Sequence, residues 1–264
     1  NPGDGHVNMP TYDLRGLPDI ASSGSANGQD YSVMRMFEDL DKIKLVSNSI
    51  PSSASVSANT LALPTDWNIS TGRGYGEAIT RDKSYATDAF IMFRHCDSLE
   101  QVDFVNFNQK ANMNWEHMFA ECNKLSVFNY TSTKTQAANP LFFRAFAQCP
   151  ALTTANFLGT SYALVPNTMD EMFTGCSRLQ SVNFTGLSTS SLQGRYNGVI
   201  TTDPEESVDS LGRPTSVGRT GMNDIFAGCT RMYQAPTADA PEAQRASITI
   251  GPWMTKLLNG FFWQ

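Results

Sequence analysis

Hydrophobic residues recur along this chain in a phrase that changes its periodicity half-way through. The consensus of the phrase is apolar-x-x-M-F-x-x-C-x-x-L-x-x-V-x-F. In the first half, the apolar positions fall at i, i+3, i+4 and i+7, as they do from Met169 to Cys176, which predicts one face of a short helix. In the second half, apolar and polar residues alternate, as around Val182 and Phe184, which predicts a short half-buried strand. Six segments align with the phrase: 33–46, 89–104, 115–130, 142–157, 169–184 and 222–235.

The interval between the copies predicts the fold. Each of the five cysteines follows a phenylalanine by three residues, and successive cysteines are 26, 27, 27 and 53 residues apart. A helical turn and a strand repeated at this interval are typical of a solenoid, whose coils stack their strands into a parallel sheet over one shared core. We therefore predict an α/β fold, a right-handed solenoid of leucine-rich-repeat type with about six coils, each with a short helix and a short strand. The predicted repeat core contains Phe93, Cys96, Phe119, Cys122, Phe146, Cys149, Phe173, Cys176, Phe226 and Cys229.

The cysteines allow two structural interpretations. As small hydrophobic side chains they belong in the core, and the first copy has Leu40 at the cysteine position, which favours apolar volume over sulfur chemistry. Disulfide bonds between neighbouring coils remain open on distance alone, because stacking brings their Cα atoms near bridging range. The odd number of cysteines and the absence of C-x-x-C argue against a complete disulfide framework.

Two copies carry the phrase in a form that resembles a known family. Residues 118–125 read M-F-x-x-C-x-x-L and residues 172–179 read M-F-x-G-C-x-x-L, which is similar to BspA-like leucine-rich repeats, also called the mycoplasma-lipoprotein type. The resemblance extends over roughly residues 30–240. It implies a bacterial or protist surface protein that acts in adhesion and ligand binding without enzymatic residues, and similar repeats also occur in phage-encoded proteins. The last copy departs from the pattern, with Met232 for the leucine and a proline where a strand is expected, as suits an end coil.

Two interruptions and two ends divide the chain. The segments near 47–88 and 185–220 lack the phrase and are rich in Ser, Thr, Gly and Pro, so we predict insertions that leave the solenoid as loops. A degenerate coil within the first segment is the alternative, although its apolar residues do not align with the phrase. Residues 1–28 predict a linker or extended arm, and residues 29–264 predict a single solenoid with a C-terminal capping helix near 252–262.

Composition and charge exclude several classes of function. The net charge is −6 and only 17% of the residues are charged, so we expect no nucleic-acid partner. No apolar run reaches the roughly 18 residues of a membrane span. The three histidines show no metal-ligand spacing, and the glycine-rich residues 72–76 lack the Lys-Ser/Thr ending of a phosphate loop. Because no positioned acid–base pair or nucleophile motif is present, we expect no enzyme, no cofactor and no metal.

The outward strand positions form the candidate ligand-binding surface. The residue between the two inward strand residues faces out in each coil, which places in one column Asp103, Asn129, Asn156 and Asn183. On one interpretation, this column binds a ligand. On the other, its side chains only stabilise the stacking of the coils. We predict a non-enzymatic binding or adhesion module in an extracellular or cell-surface location, with a host-surface protein or glycan as its partner.

The alternative is a structural subunit of a larger assembly, such as a phage tail or head appendage. Its location would be the virion, and its partners would be neighbouring subunits. The candidates for the interface are the apolar residues Phe261, Phe262 and Trp263.

Overall fold

The regular elements of the structure are short β-strands. The computed structural model describes residues 11–16, 36–64, 87–88, 91–107, 113–133, 140–159, 164–166, 168–188, 190, 194–196, 199–201, 224–232 and 247–250. The strands are β1 (Tyr12–Asp13), β2 (Leu45–Ser47), β3 (Thr60–Ala62), β4 (Thr87–Asp88), β5 (Gln101–Val105), β6 (Met113–Asn114), β7 (Val127–Ser132), β8 (Thr154–Gly159), β9 (Ser181–Phe184), β10 (Gly194–Tyr196), β11 (Val199–Thr201) and β12 (Ser247–Ile250).

Eight of these strands form one open, all-parallel sheet. Their order is β1-β3-β2-β5-β7-β8-β9-β12, so the strands of successive copies lie side by side. Burial alternates along the central strands β5, β7, β8 and β9, and in β7 the inward residues Phe128 and Tyr130 are almost completely buried. The predicted parallel sheet is therefore confirmed, and the arrangement is solenoid-like.

The first half of each copy is a run of turns in the residues that the structure describes, so the predicted short helices were wrong there. The N–H of Phe93 donates to the carbonyl of Met118 in the next copy at 2.8 Å, whereas the N–H of Arg94 donates to Ile91 in its own copy at 3.3 Å. An α-helix would direct each N–H to residue i−4 of the same segment. Here alternate N–H groups bind neighbouring copies together, as in a sheet.

A left-handed backbone explains these turns: it occurs at one described position of the first copy and at two positions of each of the other five. An α-helix needs negative φ at every residue. Two residues before the repeat phenylalanine φ is 50–54°, at Ile91, His117, Arg144, Glu171 and Asp224. Two residues after it φ is 57–79°, at Asp39, His95, Glu121, Gln148, Gly175 and Gly228. The glycine in M-F-x-G-C occupies this second position, because glycine adopts positive φ without a steric penalty.

The repeat phenylalanines stack into one column through the core. Neighbouring ring centroids lie 5.2–5.7 Å apart with interplanar angles of 2–17°, in the order Phe37, Phe93, Phe119, Phe146, Phe173 and Phe226. The structure places all ten of the predicted core phenylalanines and cysteines in the main hydrophobic cluster.

The first interruption does not separate neighbouring copies in space. Strand β2 pairs directly with β5, with Val46 opposite Val102, and Phe37 stacks on Phe93. No coil therefore lies between the first two copies. Part of the segment near 47–88 instead adds strand β3 to the other side of β2, while residues 65–86 lie outside the described residues.

The second interruption also leaves its flanking copies in contact. The N–H of Phe173 donates to the carbonyl of Ile225 at 2.9 Å, and β9 pairs directly with β12. The intervening residues include an antiparallel hairpin of β10 and β11. The strand of the last copy is thus β12, although we had expected it near residue 235.

The N-terminal segment contributes to the edge of the sheet. Part of the predicted arm, residues 12 and 13, forms β1 beside β3, and the N–H of Leu14 donates to the carbonyl of Ala62 at 2.8 Å. The predicted capping helix near 252–262 lies outside the described residues, as do Phe261, Phe262 and Trp263.

Candidate ligand-binding face

Four polar residues meet on the outer side of the sheet, and we call them the ladder face: Asp103, Asn129, Asn156 and Asn183. Each is half-buried and lies between two buried residues of its own strand. The register places Asp103 opposite Asn129, Asn129 opposite Asn156, and Asn156 opposite Asn183. The structure therefore brings together in one column the residues that the sequence pattern selected.

Side-chain hydrogen bonds run along the ladder face in one direction. Asn156 Nδ2 donates to Asn129 Oδ1 at 2.8 Å, and Asn129 Nδ2 donates to Asp103 Oδ1 at 2.7 Å. Gln101 Nε2 donates to Asp103 Oδ2 at 2.6 Å. Because an ionised carboxylate only accepts hydrogen bonds, Asp103 determines which way the amide of Asn129 points, and Asn129 in turn orients Asn156.

The hydrogen bonds within the ladder leave capacity for a ligand. An asparagine amide has two N–H donors and an oxygen with two lone pairs. Asn129 spends one N–H on Asp103 and accepts one bond from Asn156. Asn129 therefore still offers one donor and one acceptor, and its two hydrogen bonds hold both in a fixed orientation.

Two flanking columns complete the surface and are mostly small and uncharged. They contain Gln101, Val127, Thr154 and Ser181 on one side, and Val105, Thr131 and Leu158 on the other, where Thr185 directly follows β9. No aromatic, lysine or arginine side chain is in the ladder face or in the two flanking columns, and Asp103 supplies the single charge of the three columns.

The face is closed toward β2. The neighbour of Asp103 in register is Ser47, which is only 2% exposed. The side chain of Asn48 accepts from the N–H of Val105 at 2.7 Å and donates to its carbonyl at 2.8 Å. The side chain of Asn48 thus makes the hydrogen bonds to the end of β5 that the backbone of a neighbouring strand would otherwise make.

The face is extended at the other end by β12. Thr249 lies opposite Asn183 and is exposed. The repeat pattern does not predict this position, because the last strand follows its turn at an unusual distance along the chain. The alternating apolar residues of 247–250 were the available signal.

Each cysteine donates a hydrogen bond to the preceding copy. The Sγ to carbonyl distances are 3.0–3.1 Å, for Cys96 to Phe37, Cys122 to Phe93, Cys149 to Phe119, Cys176 to Phe146, and Cys229 to Phe173. All five thiols are free and buried. The position thus supplies a donor that links neighbouring copies, a role that the interpretation as apolar volume did not include.

We expect the thiols to be unreactive in the folded protein. Burial raises the pKa of Cys122 and Cys176 well above the ordinary value and that of Cys229 to about 12. Because the thiolate is the reactive form, labelling by a disulfide reagent at neutral pH should proceed only as fast as the protein unfolds. Denaturant should release five reactive thiols. Rapid labelling of the native protein, or fewer than five thiols after denaturation, would contradict this structure.

Charged residues connect neighbouring copies on the turn side, which is the side formed by the run of turns in the first half of each copy. Glu121 lies 2.7 Å from Arg94 Nη2 and 2.8 Å from His95 Nε2, and Arg144 pairs with Glu171 at 2.5 Å. The hydrophobic pattern of the sequence does not single out these pairs. Aligning the copies would have shown Arg144 and Glu171 at the same position of successive copies with opposite charge.

His117 is half-buried among these charges. The pKa of His117 is lowered to about 4, chiefly by burial and in addition by the charges of Arg144 and Arg94, against weaker opposing effects of Glu121 and Glu171. The ring also packs edge-on against Phe143, with centroids 5.6 Å apart.

Acid should therefore destabilise the protein through His117. The unfolded chain binds this proton near pH 6.5, whereas the folded chain binds it only near pH 4, so stability is complete above about pH 6.5 and falls between the two values. Because the ring keeps partial contact with water, we expect a loss of about 2 kcal/mol. Urea unfolding at several pH values should show a smaller loss for His117→Asn, because asparagine does not titrate in this range. Asparagine is the replacement of choice since it tolerates the positive φ at this position. Equal pH dependence of the two proteins would disprove the assignment.

The comparisons with known proteins leave the family open. The sequence matches no protein-family model, and no curated protein or solved structure matches it either. Within the described ranges there is no group of three or more His, Cys, Asp or Glu side chains placed to hold a metal ion. Those ranges also contain no helix with the length and apolar character needed to cross a bilayer.

Proposed function

We propose that this chain is a non-enzymatic binding module that presents the ladder face to a protein or glycan ligand in an extracellular or cell-surface location. The observation that carries the proposal is the pair of oriented amides of Asn129 and Asn156, each of which keeps a donor and an acceptor for a partner. Rigid strands hold these groups in place before the ligand arrives, and such preorganisation lowers the entropic cost of binding.

The finer description of the fold belongs to the same proposal. We propose a right-handed leucine-rich-repeat solenoid of about six coils, similar to the BspA-like repeats. An open parallel sheet with successive copies in chain order supports it, and so does the shared column of phenylalanine rings. Solenoids of stacked repeats commonly bind partners through an extended surface built from equivalent positions.

The proposal is tested by removing two central amides of the face. In the double variant Asn129→Thr/Asn156→Thr, threonine keeps a high strand propensity but lacks the amide. Binding to immobilised extracellular-matrix proteins and glycans should weaken about ten-fold or more, since each lost hydrogen bond contributes about 1 kcal/mol.

A matched control is available on the turn side. Asn123 Nδ2 donates to Asp97 Oδ1 at 2.7 Å, so Asn123→Thr removes an amide-to-carboxylate bond between the same two copies that the bond from Asn129 to Asp103 joins, without touching the ladder face. It should bind as the unaltered protein does. Absence of binding to every ligand, or equal losses in the two variants, would refute the proposal. A symmetric oligomer that covers the ladder face would favour the structural-subunit alternative.

A further inference from the structure

We infer that the ligand of the ladder face is an extended β-linked polysaccharide that lies across the strands. The inference rests on the proposed function, since it names the ligand class of the same surface. Its basis is the chemistry and the spacing of the rungs.

The chemistry of the face favours a polyhydroxylated ligand over a protein. Binding energy at protein interfaces is concentrated in buried aromatic and arginine side chains, and the three columns described above contain neither. Their amides and hydroxyls offer donors and acceptors in pairs, which suits sugar hydroxyls, because a hydroxyl also donates and accepts. The single charge, on Asp103, already accepts from Gln101 and Asn129 within the protein.

The spacing of the face selects an extended glycan. Rungs on neighbouring strands recur every 4.7–4.9 Å or so, the separation of paired strands. An extended chain of β-linked pyranoses advances by a similar length per sugar, so successive sugars meet successive rungs. A peptide strand advances about 3.3 Å per residue and loses this register. An α-linked glucan coils and leaves a flat surface after a few sugars.

The ends of the face predict the length of the site. Asn48 and the buried Ser47 close it beside β5, while Thr249 continues the column on β12. The open part therefore crosses five strands, β5, β7, β8, β9 and β12. We expect affinity to rise with oligosaccharide length up to about five sugars and then to level off, since one sugar occupies each strand spacing.

Titration calorimetry with cello-, xylo- and chito-oligosaccharides of two to eight sugars tests this expectation, and α-linked malto-oligosaccharides of the same lengths serve as controls. The unaltered protein and Asn123→Thr should bind at least one β-linked series and no α-linked series. Asn129→Thr/Asn156→Thr should bind that series about ten-fold more weakly or worse, with a melting temperature that confirms folding.

The outcomes separate the two proposals. No binding to any β-linked series, equal binding to α-linked chains, or affinity that is independent of length would overturn the inference. If a matrix protein bound instead, and the ladder variant abolished that binding, the proposed function would stand without the glycan. If nothing bound through the ladder face, both would fail.

Discussion

Replacing Phe119 by alanine should lower the free energy of unfolding by about 4 kcal/mol. The ring is completely buried and lies in the middle of the phenylalanine column, 5.2 Å from Phe93 and 5.4 Å from Phe146 between ring centroids. Phe128 packs against it at 5.6 Å. Alanine would leave a cavity that touches three copies, and a stacked array loses stability through every interface that a copy shares with its neighbours. Urea denaturation followed by circular dichroism measures the change.

Phe37→Ala is the matched control at the end of the column. Its ring is 6% exposed and has Phe93 as its ring partner among the described residues. We expect a loss of about 2–3 kcal/mol there, since only one interface is affected. A loss below about 1 kcal/mol for Phe119→Ala, or a larger loss for Phe37→Ala, would contradict a continuous stacked core.

Replacing Gly186 by alanine should cost about 2–3 kcal/mol, because the new methyl group would overpack a buried site. A Cβ at this position would lie 2.7 Å from the carbonyl carbon of Leu158 and 2.8 Å from the nitrogen of Gly159. Both atoms are backbone of β8, which is paired on both sides, so the strand yields only at the expense of its hydrogen bonds. Thermal and urea unfolding of the variant measure the loss.

Gly16→Ala provides the comparison, because a Cβ there would meet nothing within 4 Å. We expect its stability to remain within about 0.5 kcal/mol of the unaltered protein. Unchanged stability of Gly186→Ala would show that β8 and the segment after β9 approach each other less closely than described.

The sequence pattern predicted the strand half of each copy well. Alternation around Phe128 and Tyr130 identified the inward side chains, and the equivalent positions of successive copies placed Asn129 beside Asn156. These predictions succeed because side chains alternate with a period of two along a strand, so polarity alone tells which face is buried.

The same pattern failed in the other half. The spacing from Met169 to Cys176 suits a helix, yet these side chains also reach the core from a run of turns with positive φ at Glu171 and Gly175. The periodicity of apolar residues indicates which side chains are buried, and both a helix and this run of turns bury the same positions. Where the N–H of Phe173 finds its acceptor depends on the neighbouring copy, which lies 52 residues further along the chain at Ile225.

The cysteines show most clearly which features the sequence determined and which the tertiary structure decided. By itself the sequence determined the repeat, the buried positions and the outward column, because each depends on local alternation of apolar and polar residues. Only the tertiary structure decided that the interval of 53 residues joins adjacent copies, and that each thiol donates to a phenylalanine carbonyl of the copy before it. Those features depend on which segments stack. Stacking depends on contacts between residues far apart in the sequence, namely the shared core and the hydrogen bonds between copies.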